Sequence, residues 1–251
     1  MASKRSILVA AAMLACSAPA VAQHGFTPEF ASGATRPRSV ALLPVDASVV
    51  RAKVAETQGL IDEGVVYGAL FNEQVKALLA AKGYEIQVVD PDRINHDAQL
   101  QEYVVEAHRA FDDVMKQYRP KKLEKRIYNL GDPARLLAAR LGVDAIAFGT
   151  MSITITPAGK AIMSALIGGS TAGATSNLAI VNGATGDLEA VQLGIVPVTP
   201  GDKTDQELQV YAAALAERAT KRVPGADPSA RIEIATATDD DVLDEVESLI
   251  K

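Results

Sequence analysis

Tryptophan is absent from this chain, histidine occurs three times and cysteine once, as Cys16. Each scarcity excludes a class of chemistry. One cysteine forms no disulfide within the chain, and with so few soft ligands tight zinc or iron–sulfur ligation is not supported. His24, His96 and His108 are scattered. His108 has a carboxylate, Asp112, one helical turn away. That spacing suits a metal, and suits an ordinary half-buried histidine beside Val104 and Phe111 better. Asp239-Asp240-Asp241 lacks the spaced oxygens of a calcium loop and reads as a charge cluster at a helix start. NGATGD (182–187) lacks the Gly-Lys-Ser/Thr ending of a phosphate loop, and no G-x-S-x-G elbow occurs. No catalytic, cofactor or metal residue is therefore assigned. With aromatics at 4%, the core must come from Ala, Val, Leu and Ile.

What is present starts with the first 22 residues. Lys4 and Arg5 precede an apolar run from Ile7 to Ala15, followed by Ala20 and Ala22 in an A-x-A cleavage pattern. This is the layout of a secretory signal peptide, and the run is far short of the roughly 20 residues of a spanning helix. Two processing routes stay open. Cleavage after Ala22 discards Cys16. Cleavage before Cys16 makes it a lipidated first residue, although Met13 and Leu14 stand where a lipobox has Leu and a small residue.

Removing residues 1–22 takes away Lys4 and Arg5 and no acid, leaving 23 bases against 31 acids, a net charge of −8. Residues 226–251 hold eight of those acids and two bases. A neutral body with an acidic tail excludes nucleic acid as a partner, which would call for a basic face. The exception is KQYRPKKLEKR (116–126), with six bases and one acid. It reads as a solvated helix end, with contact to anionic lipid or an acidic partner as the lesser reading.

Residues 23–37 show no periodicity and read as a flexible leader before an α/β domain over 38–222. SVALLPVD (39–46) is a strand. Ile61, Val65, Gly68, Phe71, Val75 and Leu78 predict a helical face that ends at Lys82-Gly83, and YEIQVVD (84–90) is the next strand. Leu100, Val104, Ala107, Phe111, Val114 and Tyr118 form a narrow seam suited to packing on a sheet. In GDPARLLAARLGVDAIAFGT (131–150), Asp132 caps a helix, Gly142 closes it, and a strand follows. SNLAIV (176–181) and DLEAVQLGIV (187–196) flank NGATG as a hairpin. Leu208, Tyr211, Ala212, Leu215 and Ala219 mark a helix over about 203–221. Residues 223–251 read as a linker and an acidic amphipathic tail helix behind Thr238. Together these give a mixed α/β sheet with helices packed on it and one late hairpin.

Residues 160–176 form a Gly/Ala/Ser-rich insertion unlike the rest. Ala161, Ala165, Gly169 and Gly173 fall four apart, the spacing that lets helix backbones approach closely, and are candidates for membrane or subunit contact. A Gly/Ser/Thr loop between two strands is the simpler reading.

SVALLPVD, LLAARLGVDAIAFGTMSITIT and LAIVNGATGDLEAVQ, in that order, resemble the curli-secretion lipoprotein group of bacterial envelope proteins. That group includes lipoprotein activators of penicillin-binding proteins. The resemblance implies an anticodon-binding-domain-like α/β sandwich in the periplasm or at the outer membrane, without enzymatic activity. It would act by binding an envelope protein partner, with homo-oligomers and membrane contact as further expectations. The alternative is a secreted hydrolase or small-ligand or metal binder using Asp46, Asp90 and Asp144 at strand ends. It requires at least two of those carboxylates to converge in one concave pocket with a nucleophile or metal.

Overall fold

The structure, a computed structural model, describes residues 25–52, 57–125, 128–157 and 173–226. In chain order its elements are β1 (Gly25–Phe26), α1 (Pro28–Ser32), β2 (Ser39–Leu42), β3 (Asp46–Ala52), β4 (Thr57–Gly59), α2 (Ile61–Ala81) and β5 (Glu85–Val88). There follow α3 (Pro91–His96), α4 (Ala98–Gln117), α5 (Pro120–Leu123), α6 (Asp132–Leu141), β6 (Ala145–Ile155), β7 (Gly173–Asn182), β8 (Leu188–Pro197) and α7 (Asp205–Lys221). All eight strands join one mixed sheet, ordered β1-β8-β7-β6-β2-β5, with β3 and β4 attached beside β6. The expected α/β class with a late hairpin is what forms.

Strand alternation sorts the apolar residues into two layers. Val40, Leu42, Ala145 and Ala147 face α2 and α7, whereas Ala41, Leu43, Ile146 and Phe148 face α4 and α6. The seam of α4 packs on the sheet as its periodicity predicts, with Leu100, Ala107 and Phe111 buried and Phe111 stacked 4.6 Å from Phe148. Helix α6 stops where expected. Gly142 adopts the left-handed conformation (φ 71°) and donates its N–H to the Ala138 carbonyl. Asp132 lies one residue inside the helix, with Gly131 at the cap position, and pairs with Arg135 at 2.9 Å. Helix α7 starts with a capping box in which Thr204 and Glu207 satisfy each other's backbone N–H groups.

Strand β6 organises the sheet. Its first residues, Ala145–Ala147, pair in parallel with β2; further along the same edge, Thr150–Ile155 pair in parallel with β3. Strands β2 and β3 are thus two pieces of one track, interrupted at Leu43–Val45, where Pro44 has no N–H to donate. β5 continues the sheet beyond β2, and β4 continues it beyond β3.

Two expectations about the domain's limits are corrected. The segment read as a flexible leader is structured from Gly25: β1 pairs antiparallel with β8, and Phe30 on α1 is fully buried in the core. Phe26 stacks 5.8 Å from Phe30, so two aromatics in a sequence without periodicity supply the packing. At the other end, Val223–Ala226 belongs to the domain and not to a linker. Val223 is buried, the Tyr84 hydroxyl donates to the Pro224 carbonyl, and Ala226 N–H donates to the Lys82 carbonyl. The signal region with Cys16, the insertion residues Ala161, Ala165 and Gly169, and the tail helix behind Thr238 lie outside the described residues. Gly173 opens β7 in register with Thr154 and Pro197, as a strand residue.

Helix α2 rests on β3 through two small residues. A Cβ on Gly64 would lie 2.9 Å from the Ala47 carbonyl oxygen; one on Gly68 would lie 2.8 Å from the Ala47 Cβ and 2.9 Å from Val45 Cγ1. Alanine is the better helix former by about 1 kcal/mol, yet overpacking outweighs that here. Gly68→Ala is expected to lower unfolding free energy by about 1–3 kcal/mol in urea titration. Phe30→Ala is expected to cost about 3–5 kcal/mol, as a core truncation does; an effect below about 1 kcal/mol would show that the amino-terminal segment is dispensable.

Candidate functional site

The interruption between β2 and β3 opens the sheet. Because β5 follows β2 and β4 follows β3, the outer strands diverge, and a cleft of about 590 Å³ lies between them. Its floor is Pro44–Val49, one wall is the amino-terminal half of α2 from Ile61 to Glu73, and Val88, Val89 and Pro91 close the far side. Strand β3 pairs with β4 only over Val50–Ala52. Upstream of it, Asp46–Ser48 are paired to β6 on one side, and their other edge borders the cleft.

One side chain holds the interruption together. Asn72 is 6% exposed, and its Nδ2 donates to the Leu43 carbonyl at 3.1 Å, replacing the strand partner lost beyond Leu42. Its Oδ1 is buried and accepts nothing among the described residues. A buried amide oxygen without a donor costs about 1–3 kcal/mol, so the cleft wall keeps an unused acceptor. An amide between Phe71 and Val75 on an otherwise apolar face was the sequence signal for this position.

The mouth is apolar where a monomer would ordinarily be polar. Ile61, Val65 and Val66 are 81%, 70% and 59% exposed. This corrects the predicted helical face. The buried side of α2 is Gly64, Tyr67, Gly68, Phe71, Asn72, Val75 and Leu79, so Ile61 and Val65 point outward. Two glycines and an asparagine occupy core-facing places that a hydrophobicity count gives to branched aliphatics. Between the exposed aliphatics stand Asp62 and Glu63, and Asp46 and Glu73 line the cleft. The surface is an apolar patch in an acidic frame. Such patches on a monomer mark sites of association.

Asp144 does not converge with Asp46. Asp46 opens β3 in register with Thr150, while Asp144 directly precedes Ala145 at the other end of β6, six residues away and roughly 20 Å at strand spacing. Asp144 is a structural clasp. Its carboxylate accepts the backbone N–H groups of Ser39 (2.9 Å) and Arg38 (3.0 Å), and the Ser39 bond first of all holds its pKa below the usual carboxylate value. Asp90 caps α3, accepting from Asp92 N–H at 2.8 Å. The hydrolase reading therefore loses Asp144 from its three aspartates. No group of three or more His, Cys, Asp or Glu among the described residues is placed to hold a metal.

His108 packs its ring edge-on against Phe148 at 5.3 Å. Burial lowers its pKa, with the nearby charges of Asp112 and Asp46 pulling the other way. His96, at the end of α3, contacts the Asp92 carbonyl through Nδ1 at 2.6 Å. Neither lies in a ligand cluster. No helix among the described residues is long and apolar enough to cross a membrane.

No family model matches the chain. No curated protein matches it. Among solved structures it is similar to the PelC dodecamer from Paraburkholderia phytofirmans at 9% identity, with a TM-score of 0.42 over 82% of this chain and 98% of that one. It is also similar to lipoprotein GNA1162 from Neisseria meningitidis (12% identity, TM-score 0.33, 74% and 99% covered). A third is the LpoB C-terminal domain from Salmonella enterica (14% identity, TM-score 0.28, 64% and 84% covered). At these scores the likeness carries no residue of the site, which stands on its own geometry.

His108 generates a pH prediction. Its folded pKa lies below the unfolded value of about 6.5, so the unfolded chain takes up the proton first. The stability it contributes is complete above about 6.5 and drains away as pH falls toward the folded pKa. Urea unfolding at about pH 7.5 and about pH 5.5 is expected to show a smaller acid loss for His108→Gln than for the unsubstituted protein.

Proposed function

We propose that this chain is a non-catalytic, secreted envelope protein that binds a protein partner through the cleft between β3 and α2. The observation that carries this reading is the pair Ile61 and Val65, exposed at the mouth of an apolar cleft framed by acids, with exposed Val66 next to them on α2. The secretory layout of the first 22 residues supports an envelope location, and the family resemblance of the three sequence motifs supports an assembly role.

Complementarity describes the partner. An extended segment with aliphatic side chains for the mouth and a basic residue for the frame would fit. It could add backbone hydrogen bonds along the Asp46–Ser48 edge, as strand addition does. The acidic tail of this chain, with eight acids between residues 226 and 251, has the wrong charge for that frame.

The test is the size of the particle extracted from the native envelope. The unsubstituted protein is expected to run in a complex that contains a second protein. Ile61→Asp combined with Val65→Asp is expected to weaken it at least tenfold while leaving thermal unfolding within about 0.5 kcal/mol, as surface substitutions do. A complex containing only copies of this chain would reassign the cleft to self-association. An unchanged complex in the double variant would overturn the reading.

A further inference from the structure

Among the described residues, exposed bases cluster beside Gly25. Gly25, the first described residue, packs on the segment Tyr118–Leu123: a Cβ there would lie 2.7 Å from the Tyr118 hydroxyl and 2.8 Å from Leu123 Cδ2. Tyr118 and Leu123 are buried beneath β1, while Arg119, Lys122 and Lys125 are exposed around them. None of these three forms an ion pair with an acid among the described residues; Lys116 pairs with Asp113 at 2.8 Å. The stretch is therefore pinned by its two apolar residues beside Gly25, with Arg119, Lys122 and Lys125 exposed.

Charge makes this place singular. The chain from Gln23 onward has a net charge of −8, yet residues 116–126 hold six bases and one acid. An acidic protein is repelled by an anionic bilayer, except where such a cluster faces it. The location also suits a tether. Eight residues lie between Cys16 and Gly25, a span of at most about 30 Å. The sheet order places β1 at one edge and β5, beside the cleft, at the other. A bilayer at the basic surface leaves the cleft mouth open.

We infer that Arg119, Lys122 and Lys125, set beside Gly25, dock the domain on an anionic phospholipid surface with the partner cleft turned away from it. The docking is electrostatic, inserts no helix, and does not depend on acylation of Cys16.

Flotation of the chain from Gln23 to Lys251 with vesicles tests this. Vesicles of phosphatidylcholine containing phosphatidylglycerol are expected to carry the protein at low salt and release it at high salt, and pure phosphatidylcholine vesicles are expected not to carry it. Lys122→Gln with Lys125→Gln is expected to weaken binding by about thirtyfold, from about fivefold per charge. Arg93→Gln, at an exposed base on α3, is expected to leave binding unchanged. Equal binding to both vesicle types, or full binding by the lysine double variant, would overturn the inference. Competition by millimolar inorganic phosphate at constant ionic strength would also overturn it, by pointing to a discrete phosphate site. Thermal unfolding of each variant separates loss of binding from loss of fold, and the particle size in the native envelope reads the cleft independently.

Discussion

One edge of one strand governs this molecule. β6 offers eleven residues of continuous edge, and two strands in succession use it, both parallel to it. The chain supplies those strands almost back to back, separated by Leu43–Val45, so it cannot turn away between them. It must run straight on with a break at Pro44. The break strands the Leu43 carbonyl, which Asn72 recovers, and it lets the outer strands part. Gly64 and Gly68 then bring α2 down onto β3 at a distance no other residue permits. Cleft, buried amide and glycine pair are consequences of one register.

The opposite end of α2 is fastened differently. Lys82 Nζ donates to the carbonyls of Thr220, Lys221 and Val223 at 2.7–3.0 Å, closing the end of α7 although burial lowers its pKa. Tyr84 reaches the Pro224 carbonyl from a site where burial pushes its pKa up to about 12. Arg36 joins the Phe30 carbonyl (2.8 Å) to that of Gly225 (2.9 Å), so the two flanks of the domain are tied to each other. Hydrogen bonds to charged donors are the stronger kind. The carboxyl-terminal end of α2 thus carries the clasps, and its amino-terminal end carries the exposed aliphatics.

Much of this was legible in residues. The α4 seam, the glycine stop of α6 and the TG-bearing hairpin follow local rules that packing did not override. The cleft was not legible, for identifiable reasons. DASVVRA puts Asp, Ser and Arg into β3, and such a strand gains its place from pairing with β6, which lies about 100 residues further along the chain. Along α2, Ile61 and Val65 match a core periodicity but stand outside it, because the glycines that set the helix's approach carry no hydrophobicity signal. The amino-terminal segment was missed because a pair of phenylalanines and Thr27, whose side chain caps α1, make no repeating pattern. Asp46, Asp90 and Asp144 are strand-end residues in sequence, and only the parallel register reveals that Asp144 sits at the far end.

The account stands on the cleft being covered in the native envelope and open in the isolated chain. Cys16 is the sequence's one cysteine, so a Cys16→Ala background makes a direct measurement available: the maleimide reaction rate of Val65→Cys in both settings, against a cysteine at exposed Ala139. Val65→Cys is expected to react quickly in the isolated protein and at least tenfold more slowly in the envelope, while the Ala139→Cys rate stays the same. Equal rates for Val65→Cys in both settings would contradict the account.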